Sequence, residues 1–321
     1  MTWAVRLASP GTVRRVEQAE EDRALRSGEV RLRFRAGGLC GSDMPLFHGL
    51  LVESVSGAHG GAPIHEIVGE VIESASTRLR VGQRVVGTGG LRAGLAEILV
   101  ESDTAFIPVP EDFSDVEAVP IQSLATVIRA AKGLPDVAGK RVAVVGAGPI
   151  GLAFIHVLRT RGAGHITAID PVERAGTATR FGADEFRAVT STEWASGLEE
   201  KERPQIVIEA VGHQQSTIPD CLRAVASWGH VLGFGAADDD DYMLPYREMY
   251  ERGLTLSSGR TLDGWVGVLQ EGRDYLLRHR ADFDGYVTHT FAVEDAQTAY
   301  DLYASTEASR LKVALVDNQP G

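Results

Sequence analysis

The chain has 321 residues, 44% hydrophobic and 24% charged, which suits ordinary globular material with room for two domains. A formal net charge of −12 argues against a nucleic-acid footprint, which needs clustered Lys and Arg, and no apolar run approaches the ~20 residues that cross a bilayer. Two cysteines, Cys40 and Cys221, exclude a disulfide framework, and Met1–Pro10 shows no basic-then-apolar leader, so the expected compartment is the reducing cytoplasm.

Residues 1 to about 120 read as short strands and turns. Glu29–Phe34 alternates like a half-buried strand, and Ile67–Ile72 and Val81–Val86 are β-branched runs flanked by glycine. Glycine is dense here (Gly37, Gly38, Gly41, Gly49, Gly57, Gly60, Gly61), which fits a loop-rich β barrel. Asp115–Leu134 reads as one helix with acids in its first turn. From Lys140 to Ser258 strand and helix alternate: strands Arg141–Val145, Ile166–Ile169, Ile206–Ala210 and Val231–Phe234, helices Ile150–Arg161, Arg174–Phe181 and Thr217–Ala226. Apolar strands separated by helices imply a parallel sheet covered on both faces. Asp238–Asp241 reads as a solvated loop, Val293–Tyr303 as a helix and Lys312–Val316 as a closing strand.

The run Val142-Ala-Val-Val-Gly-Ala-Gly-Pro-Ile-Gly151 follows a predicted strand and opens a predicted helix, the context that gives G-x-G-x-x-G its meaning. Gly146 allows the tight turn, Gly148 lets backbone approach a pyrophosphate, and Gly151 lets helix and strand pack closely. Pro149 and Ile150 start the helix, whose free N–H groups point at the phosphates. Asp170 ends the second strand, where a carboxylate accepts hydrogen bonds from ribose hydroxyls and repels a 2′-phosphate, favouring NAD over NADP. Arg174, nearby, is the residue type that accepts a 2′-phosphate, and Val211 and Gly212 are further residues expected to bind the cofactor.

A second constellation combines Gly38-Leu-Cys-Gly-Ser-Asp43 with Ile64-His-Glu-Ile-Val-Gly69. Cys40 and His65 are zinc-ligand types, and a catalytic zinc needs three protein ligands and an open position. By spacing alone, they fit equally well as a buried small residue and a satisfied core histidine.

Together, in this order, the two motifs resemble the medium-chain dehydrogenase/reductase superfamily, and the likeness extends over nearly the whole chain. Gly38–Asp43 is similar to its G-x-C-G-[ST]-D segment, and Pro63–Glu70 to its P-x-x-x-G-H-E-x-x-G stretch, with Ile64 where glycine is usual. Val81–Val85, Gly94–Glu97 and Lys312–Leu315 resemble further strands of that family. The resemblance implies an α/β fold: a GroES-like β-barrel catalytic domain (1–124), a doubly wound Rossmann domain binding NAD (125–260), and a C-terminal return to the first domain (261–321). It implies Cys40 and His65 as catalytic zinc ligands, Glu66 as a carboxylate able to enter the metal shell, and Ser42 as the hydroxyl that takes the substrate proton. It further implies Asp43 as the carboxylate orienting the metal-binding histidine and Lys312 as a basic residue near the cofactor pyrophosphate.

The chain also departs from the family. It lacks the cysteines for the structural tetracysteine zinc that many relatives carry. Gln122, in Pro120-Ile-Gln-Ser-Leu124, stands where polyol-type members place glutamate, as in glucose-dehydrogenase-like members. A neutral amide is a poorer zinc ligand than a carboxylate. Pro45 replaces a relay histidine, leaving His48 as a substitute or as a surface residue. Three readings stay open: a zinc- and NAD-dependent dehydrogenase of a secondary alcohol, a metal-free reductase, and a non-catalytic cofactor-binding protein. A homodimer or homotetramer with a small-molecule substrate is expected, with neither nucleic acid nor membrane as partner.

Overall fold

The computed structural model describes residues 1–19, 23–50, 64–89, 94–259 and 263–317. Gly57, Gly60, Gly61 and Pro63, and the domain cut expected between 260 and 261, lie outside the described residues. The chain divides into two units, one formed by Met1–Ala125 with Asp263–Gly321 and the other by Thr126–Leu262.

The first unit opens with an antiparallel hairpin, β1 (Thr2–Ser9) and β2 (Thr12–Gln18), turned at Gly11, whose φ is +74°. There follow β3 (Glu29–Gly38), α1 (Met44–Phe47), β4 (Glu66–Ser74), β5 (Arg84–Thr88), β6 (Ile98–Ser102), β7 (Phe106–Pro108), α2 (Asp115–Ala118) and α3 (Pro120–Lys132), whose residues from Thr126 on belong to the second unit. The second unit contains β8 (Arg141–Val145), α4 (Pro149–Thr160), β9 (His165–Ile169), α5 (Ala175–Arg180), β10 (Glu185–Arg187), α6 (Ser191–Gly197), β11 (Ile206–Glu209), α7 (Thr217–Ala224), β12 (His230–Gly233), α8 (Tyr246–Arg252) and β13 (Thr255–Ser258). The chain then returns to the first unit with α9 (Trp265–Arg278), β14 (Val287–Ala292), α10 (Ala296–Ala304) and β15 (Lys312–Val316).

In the first unit the sheet runs β14-β15-β3-β4-β5-β7, with β6 also on β3. The ten-residue β3 serves both: Glu29–Arg33 pairs with β6 and Ala36–Gly38 with β15. Its inward side chains join Trp3, Ile67, Phe106, Tyr300 and Val313 in one apolar core. Trp3 meets Phe34 edge-on at 5.8 Å, and Phe47 stacks on Tyr300 at 5.0 Å. Burial against the first strands is therefore what draws α10 and β15 back to this unit.

In the second unit six parallel strands lie in the order β10-β9-β8-β11-β12-β13. Both faces of β8 and β11 are covered, so Val142–Val145 and Ile206–Ile208 are buried without alternation. Strand order reverses between β8 and β11, the switch point at which such sheets bind dinucleotides.

Two expected elements are corrected. Val81 does not begin a strand: it is 65% exposed in a turn with Gly82 at φ +81°, and pairing starts at Arg84. The helix expected over Asp115–Leu134 is divided at Val119, because Pro120 brings no N–H to continue the ladder.

Candidate active site

The chain leaves the sheet at Gly38, with Leu39 N–H held by Val313 O at 2.9 Å. Cys40 and the tight turn Gly41–Asp43 follow. Asp43 is fully buried and uses both carboxylate oxygens: Oδ2 accepts from Cys40 N–H at 2.8 Å, and Oδ1 lies 3.0 Å from His65 Nδ1. An ionised carboxylate only accepts, so Nδ1 carries the proton and Nε2 is left for another partner. Register brings His65 there, because Gly38 pairs with Glu66 across β3 and β4. The ligand atoms of Cys40, His65 and Glu66 all lie within 4.8 Å of one another. Burial opposes charge on His65, but Asp43 and Cys40 outweigh it and hold its pKa well above the usual histidine range.

Glu66 is fully buried. Its Oε1 accepts from Lys312 Nζ at 2.7 Å, and Oε2 has no partner. Only glycine fits beneath it: a Cβ on Gly38 would stand 2.5 Å from Oε2. Lys312, expected near a pyrophosphate, has its ammonium 1% exposed and bound to Glu66 and to Leu39 O at 3.1 Å, because β15 runs beside the end of β3. Burial works against that charge, but Glu66 and Cys40 more than compensate and raise its pKa.

Gln122, in the first turn of α3, is 5% exposed and donates from Nε2 to Thr88 Oγ1 at 3.1 Å. Thr88 pairs with Glu66 in the sheet, so the amide stands on the same side as the cluster. Ser42 is half-buried on the turn two residues after Cys40. His48 is exposed at the end of α1, its ring tilted against Phe47 at 5.2 Å. A thiol, an imidazole nitrogen and an unpartnered buried carboxylate oxygen form a donor set that suits zinc. An orphan oxygen of this kind is costly unless a cation meets it.

In the second unit the three glycines act differently. Gly146 has φ +96° and donates to Ile169 O at 2.7 Å. A Cβ on Gly148 would meet nothing within 4 Å, whereas one on Gly151 would lie 1.7 Å from Gly146 O. Open space thus faces the N-terminus of α4, which begins with Pro149 and Ile150, and the helix packs onto the turn at Gly151. Asp170, after β9, accepts from Ala147 N–H and Val172 N–H, each at 2.8 Å, and pairs with Arg174 at 3.4 Å.

Glu209 was not expected at the site. Buried at the end of β11, it accepts from Val211 N–H (3.0 Å), Gly212 N–H (2.8 Å) and Gly235 N–H (3.1 Å), tying together the loops that follow β11 and β12. The N–H groups of Val211 and Gly212 are therefore spent inside the loop. An acid ending an otherwise apolar strand was the signal available in the sequence.

Two family models match the chain: the alcohol dehydrogenase GroES-like domain over residues 26–111, and zinc-binding dehydrogenase over residues 149–271. The first contains Cys40, Asp43, His65 and Glu66, and the second contains Asp170 and Glu209. The chain belongs to the medium-chain dehydrogenase/reductase superfamily. The chain is 23% identical over 325 residues to L-threonine 3-dehydrogenase of Legionella pneumophila (strain Corby), covering 88% of this chain and 91% of that protein. It is 25% identical over 360 residues to L-arabinitol 4-dehydrogenase of Aspergillus oryzae, covering 95% and 90%. Its fold matches the alcohol dehydrogenase TADH from Thermus sp. ATN1 with a TM-score of 0.84 and 26% identity, over 98% of this chain and 99% of that one. The protein is an oxidoreductase that combines a GroES-like domain with a doubly wound parallel sheet. Among its described residues no helix is long and apolar enough to cross a membrane.

Proposed function

We propose that this dehydrogenase moves a hydride between a secondary alcohol of polyol, sugar or cyclitol type and its ketone, using NAD and one catalytic zinc. The observation that carries the reading is the Cys40–His65–Glu66 cluster, with Asp43 fixing the far side of His65. The relatives named for L-threonine and L-arabinitol support an alcohol carried on a polar carbon chain.

Cys40, His65 and Gln122 would hold the metal, with Glu66 near enough to enter its shell. Zinc, when bound, lowers the pKa of an alcohol and polarises its oxygen. Asp43 keeps the His65 ring in the tautomer that leaves Nε2 available. Ser42 Oγ takes the substrate's hydroxyl proton in a hydrogen bond, and exposed His48 is the candidate to pass it to water. In the second unit the space at Gly148 and the N-terminus of α4 would receive the pyrophosphate, while Asp170 would offer its remaining lone pairs to the ribose hydroxyls. Metal content decides the reading, measured on protein never exposed to chelator or a metal-affinity tag. One zinc per chain, lost in step with activity under chelation, is expected. Full activity with stoichiometry near zero would replace it with the metal-free reductase.

The assembly we propose is a homodimer, alone or doubled into a tetramer. Tyr246 (74% exposed) and Tyr250 (79%) lie at helical spacing along α8, Gly253 ends the helix in the left-handed region, and Met243 (87%) precedes it. The Trp228 ring, 86% exposed, covers Gly253, where a Cβ would meet it at 2.6 Å. Trp228 holds φ +61°, an unfavourable region for a bulky residue. β13 follows directly and ends the sheet, and its Thr-Leu-Ser-Ser carries none of the charges or prolines that usually protect an edge. A second copy related by a two-fold axis would cover both the stripe and the edge.

A further inference from the structure

We infer that Lys312 is a positioning residue that competes with the bound metal for Glu66, holding this carboxylate back from becoming a full ligand. The inference rests on the zinc reading above. Glu66 sits between two claims. Oε1 is bound to the Lys312 ammonium at 2.7 Å, and Oε2 is buried without a partner, in a cluster whose ligand atoms lie within 4.8 Å of one another. The carboxylate has little room to swing, because its slot is floored by Gly38, where a Cβ would stand 2.5 Å from Oε2 and 2.6 Å from Val119 Cγ1. Lys312 is also anchored independently of Glu66, through Leu39 O at 3.1 Å. Neither partner depends on the other for its place.

Charge then sets the direction. With metal bound, the anions at the site are the half-buried Cys40 thiolate and the buried Asp43 and Glu66, and Gln122 adds none. A zinc dication and Lys312 together balance those three. Removing the ammonium leaves an uncompensated negative charge beside the metal, where Coulomb interactions are poorly screened. Glu66 would then give its full charge to the metal, which binds more tightly and becomes a weaker Lewis acid. Lys312 therefore trades metal retention for reactivity, the opposite of what loss of a mere structural prop would produce.

The test compares wild type, Lys312→Met and Lys312→Arg, each reconstituted with zinc and separately with cobalt(II). Zinc affinity is read by competition with a chelator, and the cobalt form is read by its visible absorption, which reports ligand number and geometry without turnover. Lys312→Met is expected to hold zinc on the order of tenfold more tightly, to shift the cobalt spectrum and to lower kcat. Lys312→Arg, which restores the cation, is expected to return affinity and spectrum toward wild type. In a Glu66→Gln background, Lys312→Met should gain much less affinity, because the carboxylate it releases is absent. Should Lys312→Met fail to fold, Lys312→Gln keeps a donor for Leu39 O without the charge and carries the same expectation. Equal or weaker zinc binding with an unchanged cobalt spectrum in the folded variant overturns the inference and leaves the zinc centre standing. An undiminished gain in the Glu66→Gln background also overturns it. Wild type that takes up no zinc overturns both the inference and the zinc reading.

Discussion

Asp43 spends both carboxylate oxygens on the two segments that carry Cys40 and His65, from a position with no solvent exposure. Its place in the turn fixes Cys40, and its contact with Nδ1 fixes the imidazole. Asp43→Asn keeps the size but turns an acceptor into an amide that cannot serve both N–H groups. Zinc affinity in this variant is expected to fall about 10- to 100-fold, read by chelator competition. Gln122 belongs to the same scale. Its Nε2 is engaged with Thr88, which leaves the amide oxygen as the atom able to face the metal. Gln122→Ala should lose zinc faster than wild type, and full retention would remove Gln122 from the metal shell. From Asp170 comes an expectation about the cofactor: NAD is expected to bind at least about tenfold tighter than NADP, a difference of ~1.4 kcal/mol, by titration of both. Arg174 is paired to the same carboxylate, and Asp170→Ala should narrow that preference by removing the repulsion.

At the scale of elements, the glycine loop separates folding from binding. Gly151 packs α4 onto the turn after β8, and a methyl there would meet Gly146 O at 1.7 Å. Overpacking at a rigid backbone contact costs about 1–3 kcal/mol, so Gly151→Ala should lower the unfolding temperature whether or not cofactor is present. Gly148 faces open space. Gly148→Val should leave the unfolding temperature of the cofactor-free protein nearly unchanged while weakening NAD binding, because its side chain fills the approach to the pyrophosphate. Equal NAD affinity in that variant would place the pyrophosphate elsewhere. Glu209 acts at this scale as well, since one buried carboxylate joins the loops after two neighbouring strands.

For the whole molecule, the exposed stripe of Trp228, Met243, Tyr246 and Tyr250 leads to an expectation about assembly. Light scattering at micromolar concentration should give a mass of two or four chains. Trp228→Ala with Tyr250→Ala should shift it toward the monomer, and a monomeric wild type would contradict the pairing. The sequence by itself determined what contiguous chain can encode. The run from Val142 to Asp170 spells strand, turn, helix and strand in order, and each glycine's task follows from backbone sterics at its own position. Cys40, Asp43, His65 and Glu66 were legible as a group because two short motifs carry them, although only the pairing of β3 with β4 brings the motifs together. Tertiary structure decided the rest. Lys312 and Glu66 are 246 positions apart, and their ion pair exists because β15 returns to β3. Val81 reads as strand from its neighbours but turns away at Gly82, and Glu209 reads as an ordinary strand end until β12 lies beside it. Local periodicity reports which face of an element is apolar. It carries no record of which distant element will pack there, and buried charges such as Lys312 take their role from that neighbour.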